Sequence, residues 1–204
     1  MNDPYHLKHH GISDSFVLKA FQNVDRIDFV PDKMKSRVYA DSPLPIGFKQ
    51  TISQPSLVAH MTQVLDILPN HSILEIGTGS GFQTVILAEI GRIVTSIEII
   101  PALYETAKRR FTTMKYDNIS IILGDGHDGY PDCAPYDRII VTAASPESPL
   151  TLIEQLSSGG KLLIPIGKNH GVQYLTLFEK AMDGTISEEV GIGVRFVPFV
   201  RKSS

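Results

Sequence analysis

An apolar run that stops abruptly on three alternating glycines leaves a chain few folds to choose from. Here the run is Ile73-Leu-Glu-Ile-Gly-Thr-Gly-Ser-Gly-Phe-Gln83. It reads as a buried strand from Ser72 to Ile76, a turn through Gly77, Gly79 and Gly81, and a helix from about Phe82 to Glu89. Glycine reaches positive φ without a steric penalty and lets a ligand or another backbone approach closely. A strand that ends in such a turn sets a binding crevice at the carboxyl edge of a parallel sheet. Glu75 lies inside the strand, where an acid needs a partner. Glu98 closes the next apolar run, Ile93-Val-Thr-Ser-Ile-Glu98, 17 residues beyond Gly81. An acid at that point can accept from both hydroxyls of a ribose.

The spacing separates ligands. A dinucleotide loop reads G-x-G-x-x-G and seats phosphate on a helix N-terminus. This chain reads Glu75-x-Gly77-x-Gly79-x-Gly81. That pattern resembles the nucleoside-binding loop of S-adenosylmethionine-dependent methyltransferases, whose ligand has no phosphate. An NAD site stays open on this stretch alone. A bare strand-to-helix turn accounts less well for three glycines and two acids at strand positions.

The rest of the chain fits one α/β domain over residues 1–204, with residues 1–45 as a lead-in packed on it. A length of 204 residues supports one well-formed core. A net charge of −3 gives no general attraction to nucleic acid or acidic membranes. No apolar run approaches the ~20 residues of a membrane span. Met1 to His6 lacks a signal-peptide pattern, and the single cysteine, Cys133, suits a reducing cytosol. No H-x-x-x-H or cysteine cluster supports a metal site. Nothing in the chain requires a dimer, so a cytoplasmic monomer is expected.

In the lead-in, Ser13 or Asp14 caps a short helix with Val17, Phe21 and Val24 inward. Arg37 to Pro45 reads as extended, because each proline pushes its predecessor out of the helical region. Gly47 to Pro55 is polar and irregular. A helix follows, with Leu57, Val58, Met61, Val64, Leu65 and Leu68 at its period. Pro55 suits its first position, with Ser53 or Gln54 as cap; Ser53 on this reading is an N-cap serine. After the glycine loop come a strand from Ile93 to Glu98 and a helix opened by Pro101. Lys108-Arg109-Arg110 reads as the solvated face of that helix. Strands follow at Ile119–Leu123 and Asp137–Thr142, then a helix from about Leu150 to Leu156 that Gly159-Gly160 ends, then a strand at Lys161–Ile166. Beyond Gly167 the helices stop. Tyr174–Glu179 and Ile186–Val190 flank an Asp183-Gly184 turn, and Val194–Val200 adds one more strand. The sheet is therefore mostly parallel and doubly wound, with an antiparallel C-terminal edge.

Strand ends of such a sheet converge on one crevice. Gly77, Thr78, Gly79 and Gly81 come from the first strand, Glu98 and Ile99 from the second, Asp125 and Gly126 from the third, and Thr142 to Ser145 from the fourth. Asp125 is placed to accept from an adenine amino group, with Gly126 leaving room for the ring. As a plain turn residue between two glycines, Asp125 would need no ligand.

Several segments together carry a wider resemblance: Leu44-Pro-Ile-Gly47, Gln50-Thr-Ile-Ser-Gln-Pro55, Leu74-Glu-Ile-Gly-Thr-Gly-Ser-Gly81, Gly124-Asp-Gly126, Asp137-Arg-Ile-Ile-Val-Thr-Ala-Ala144, Gln155-Leu-x-x-Gly-Gly160 and Val194-Arg-Phe-Val-Pro198. In this order, over roughly residues 11 to 200, the chain resembles the protein-L-isoaspartate (D-aspartate) O-methyltransferases. The resemblance implies a Rossmann-like class I methyltransferase fold and S-adenosyl-L-methionine as methyl donor. The implied acceptor is the free α-carboxylate of an L-isoaspartyl residue in a damaged protein or peptide; the ester then closes to a succinimide and repair begins. It also implies Ser53 as the active-site serine, and Glu75, Gly77, Thr78, Gly79, Gly81, Glu98, Ile99, Asp125, Gly126 and Thr142 around the cofactor. Ile52, Ser53, Ala144, Phe196 and Val197 are expected along the substrate.

The chemistry suits what the sequence lacks. A carboxylate with a pKa near ~3.5 is already ionised at neutral pH and needs no general base. The absence of an evident His–carboxylate or Cys–His constellation follows. Two departures from the family pattern flank the acceptor site: Lys49 where glycine is common, and Ser56 where a larger ring-bearing residue is common. Lys49 either restricts its loop or attracts an anionic substrate. The competing readings are a methyltransferase for another carboxylate acceptor, a non-catalytic adenosylmethionine-binding module and an NAD oxidoreductase. Paired Asp and isoAsp peptides with a labelled methyl donor separate them.

Overall fold

The structure, a computed structural model, describes residues 5–168 and 171–201; residues 1–4, 169–170 and 202–204 of the expected domain lie outside it. The lead-in folds into short 3-10 turns and one helix, α1 (Ser15–Asn23). Asp14, not Ser13, caps α1: its carboxylate accepts the N–H groups of Phe16 and Val17. Val17, Ala20 and Phe21 face inward.

The stretch that reads as extended and then irregular contains an antiparallel hairpin, β1 (Leu44–Gly47) with β2 (Gln50–Ile52). Phe48 and Lys49 form its turn, both at positive φ (51° and 60°). Such a turn matches strand twist but favours Asn-Gly pairs, so neither residue signals it. α2 (Pro55–Val64) opens on Pro55. Ser53 does not cap it. Gln54 stands at the cap position, but its side chain accepts no backbone N–H and donates from Nε2 to Ser56 Oγ at 3.0 Å. Asp41 reaches in from the lead-in instead, accepting the Ser56 N–H at 2.9 Å and the Ser56 hydroxyl at 2.7 Å.

The alternation then proceeds through β3 (Ser72–Ile76), α3 (Phe82–Ile90), β4 (Ile93–Glu98), α4 (Pro101–Met114), β5 (Ile119–Leu123), β6 (Tyr136–Val141) and α5 (Leu150–Glu154). β7 (Leu156–Ile166), β8 (Gln173–Lys180) and β9 (Ile186–Val194) follow. One sheet runs in the order β5-β4-β3-β6-β7-β8-β9. Pairings from β5 to β7 are parallel; β7–β8 and β8–β9 are antiparallel. This is the doubly wound fold expected, with its antiparallel edge.

Two boundaries differ from expectation. β7 starts at Leu156, so Gly159 and Gly160 sit in a strand whose pairing with β6 shifts register there, rather than ending a helix. β9 stops at Val194, and the following residues leave the sheet as a strap. A single parallel bridge, Ala144 to Pro198, ties the strap back.

Alternation along the strands divides the core. Ile73, Val94, Ile140 and Leu163 pack on the face covered by the lead-in, α1, α2 and α3. Leu74, Ile97, Ile139, Val141 and Leu162 pack with Leu152 and Ile153 of α5 on the other face. Among the described residues no helix is long and apolar enough to cross a membrane.

Candidate active site

Strand order reverses between β3 and β6, the place where such sheets open a crevice. β3 ends there in Gly77 and β6 in Thr142, and the two are locked together. The Thr142 hydroxyl donates to the carbonyls of Ile76 (3.0 Å) and Gly77 (2.8 Å). Gly77 has φ +97°, and a Cβ on it would collide with Thr142 Oγ1. Glycine is therefore required here for both conformation and space.

Glu98 closes β4 at the crevice wall and is almost fully buried. Its carboxylate accepts the N–H of Gly79 at 2.7 Å and of Ile100 at 2.8 Å, one on each oxygen. Burial raises its pKa, against the lowering effect of those N–H groups. Each oxygen keeps a lone pair for a ligand hydroxyl. Gly79, Ile99, Gly126 and Val197 line the same crevice. A Cβ at Gly126 would strike Ile76, so a side chain there would displace the wall.

Four expected cofactor residues, Glu75, Thr78, Gly81 and Asp125, stand outside the crevice lining. Glu75 does not line the crevice. Strand parity turns it to the face under α3, where it is fully buried and accepts the hydroxyls of Thr84 (2.5 Å) and Ser96 (2.6 Å). Its Oε1 is buried without a partner. Burial pushes its pKa up to about 8 despite those two bonds. Thr78, hydrogen-bonded to Ser96 at 2.6 Å, joins this polar cluster while also lining the acceptor side. Gly81 sits at the cap of α3, against the Phe111 ring. Asp125 is engaged with His127, whose N–H and ring Nδ1 lie 3.0 and 2.8 Å from Oδ1. The sequence offered no His–carboxylate pair; a tight turn two residues long makes one.

Beside the crevice lies a second hollow lined by Ile52, Ser53, Thr78 and Phe196. It continues into a groove along Ser53, Gln54, Arg195, Phe196 and Val197. Thr51 and Thr142 line crevice, hollow and groove alike, forming a shared wall. Ala144 is instead buried, its backbone holding the strap: its N–H donates to Val197 O and its carbonyl accepts from Phe199, both at 2.8 Å.

Sequence reasoning missed the residues that hold this site from behind. Arg26, fully buried in the lead-in, donates to the carbonyls of Val38 (2.6 Å), Ser42 (3.0 Å) and Ser53 (2.9 Å). Burial lowers its pKa to about 10, which leaves it charged at neutral pH. An arginine between Val24 and Phe29 was the available signal. Arg110, expected in a solvated basic face, is half-buried; it donates to Ser80 O at 2.6 Å and stacks over Phe29. Lys108 and Arg109 are exposed as expected.

The crevice is open to solvent, with about 640 Å³ of empty space within it and its mouth. Its glycine walls and buried acid fit a nucleoside. The family model for "Protein-L-isoaspartate(D-aspartate) O-methyltransferase (PCMT)" matches residues 5–204. A protein-L-isoaspartate O-methyltransferase from Myxococcus xanthus is 45% identical over 195 residues, covering 95% of this chain and 92% of that protein. A solved protein-L-isoaspartate O-methyltransferase superposes with a TM-score of 0.86 at 32% identity; the match covers 96% of this chain and 64% of that one. A Plasmodium falciparum protein described as a beta-aspartate methyltransferase, in complex with S-adenosyl-L-homocysteine, superposes with a TM-score of 0.84 at 25% identity, covering 99% of this chain and all of that one. On the family match and this extent of identity, the chain belongs to the protein-L-isoaspartate (D-aspartate) O-methyltransferase family.

Proposed function

We infer that this protein transfers a methyl group from S-adenosyl-L-methionine to the free α-carboxylate of L-isoaspartyl residues in proteins and peptides. One observation carries the reading: the crevice that fits a nucleoside and the hollow beside Ser53 share the wall made by Thr51 and Thr142. Bound S-adenosyl-L-methionine supplies an electrophilic methyl on a sulfonium. Gly77, Gly79, Glu98, Ile99, Gly126 and Thr142 would hold it, the glycines by admitting it closely and Glu98 by accepting hydroxyls.

The chain's own work is then orientation and exclusion of water. The acceptor carboxylate arrives ionised, so no base has to be found among the residues. Ser53, freed from helix capping, donates its hydroxyl to the attacking carboxylate and fixes its direction. Ile52 and Phe196 wall the hollow with apolar surface, which strengthens that bond by excluding solvent. Orientation of this kind is worth up to ~7–11 kcal/mol. The groove along Arg195 to Val197 offers backbone to an extended peptide, which suits acceptance of varied neighbours. The same proposal includes a monomeric, cytoplasmic enzyme without nucleic-acid or membrane partners; the net charge of −3 is in keeping with it.

A peptide pair differing only in Asp versus isoAsp tests the acceptor: methylation of the isoAsp peptide alone is expected, and methylation of both sinks the reading. Ser53→Ala should slow single-turnover methylation about 10- to 100-fold, as loss of a hydrogen bond to a charged group implies. A rate within about twofold of wild type would remove Ser53 from the mechanism.

A further inference from the structure

The strap after β9 roofs the cofactor crevice through Val197, Pro198 and Phe199. Its backbone is fastened at the Ala144 bridge and, nearer β9, by the Phe196 N–H, which donates to Gln173 Oε1 at 2.9 Å. A further fastening is a side-chain contact. The Phe199 ring stacks on the His127 imidazole with centroids 3.8 Å apart and planes 18° from parallel. The imidazole is itself held, its Nδ1 2.8 Å from Asp125 Oδ1 in the turn after β5. Phe199 also packs against the apolar cluster on the α5 face, and the aromatic pair adds a tie to the opposite wall whose lower member is itself held.

Resting on the cofactor assignment above, we propose that His127 and Phe199 form a clasp that closes the strap over the crevice and sets how long the nucleoside ligand stays. His127 is a positioning residue: it lines neither the crevice nor the hollow beside Ser53 and acts through Phe199. With the stack broken, the roofing end of the strap beyond Phe196 is held by the Ala144 bridge and opens more often. The clasp affects entry and departure of the nucleoside, not the acceptor corner at Ser53, which is roofed by Phe196.

The test is the dissociation rate of S-adenosyl-L-homocysteine from the full-length protein, with methyl transfer to an isoAsp peptide measured in parallel. His127→Asn removes the stack, and Phe199→Leu removes its other half. Each should speed dissociation about three- to tenfold, the scale of an aromatic pair, and raise KM for the methyl donor while leaving KM for the peptide in place. The double variant should be no faster than the faster single one. His127→Phe keeps a ring for Phe199 and abandons the Asp125 bond; it should dissociate like wild type. Dissociation within twofold of wild type in both His127→Asn and Phe199→Leu overturns the clasp. So does a His127→Phe protein as fast as His127→Asn, which would assign the effect to Asp125. Wild-type protein that fails to bind the nucleoside at all would overturn the cofactor assignment instead.

Discussion

Glu75 shows how much one side chain's direction decides. Had it faced the crevice, it would be a ligand; facing α3, it is a buried acid held by two hydroxyls with one oxygen unserved. Its pKa, about 8, stands above its ordinary 4.5. Across that window the folded protein keeps a proton that the unfolded chain has released, so stability falls as pH rises through it. Glu98 is raised as well and acts in the same direction, so the informative quantity is a difference. Between about pH 5 and about pH 8, wild type should lose urea resistance relative to Glu75→Gln. Parallel curves for the two proteins would show that Glu75 does not titrate there.

At the scale of elements, the β1–β2 hairpin carries a local conflict. Its two-residue turn holds Lys49 at φ 60°. A left-handed residue with a Cβ costs ~1–2 kcal/mol, and glycine returns part of that as backbone entropy. Lys49→Gly should therefore raise stability by up to about 1 kcal/mol, seen as a higher thermal midpoint. Legibility in the sequence followed the same physics. β3, β4 and β6 were readable because buried parallel strands are continuous apolar runs cut by glycine or proline, and the edge strand β5 was readable from its own apolar run before Gly124. The hairpin was not, because its strands are short, contain Pro45 and turn on Phe48 and Lys49. Gly159 and Gly160 misled because a glycine pair serves a bulge in a strand as well as a helix stop. Within the site, backbone-defined positions such as Gly77 and Gly126 do line the crevice. Glu75, Gly81 and Ala144 line neither the crevice nor the hollow and groove beside it, since a motif fixes where a residue stands along the chain but not which way its side chain points. Tertiary partners such as Asp41 on Ser56 leave no local pattern.

For the whole molecule, the lead-in is structural support for the acceptor corner. Arg26 gathers carbonyls from Val38 to Ser53, and removing it strands them in a buried space. Arg26→Leu should cost at least about 3 kcal/mol in chemical denaturation, given ~1–3 kcal/mol for each unsatisfied polar group. At low temperature, where the variant stays folded, kcat should fall more than nucleoside affinity does. Equal losses would mean that the guanidinium supports the fold as a whole and not the Ser53 corner. The nucleoside crevice is made mainly by strand tips of the central sheet and the strap, whereas the serine is suspended from a residue 27 positions upstream. Damage confined to the first forty residues, by a nick or a misfold, would thus leave a protein that still captures its methyl donor and can no longer aim a carboxylate at it: a repair enzyme silenced while every assay of donor binding reports it healthy.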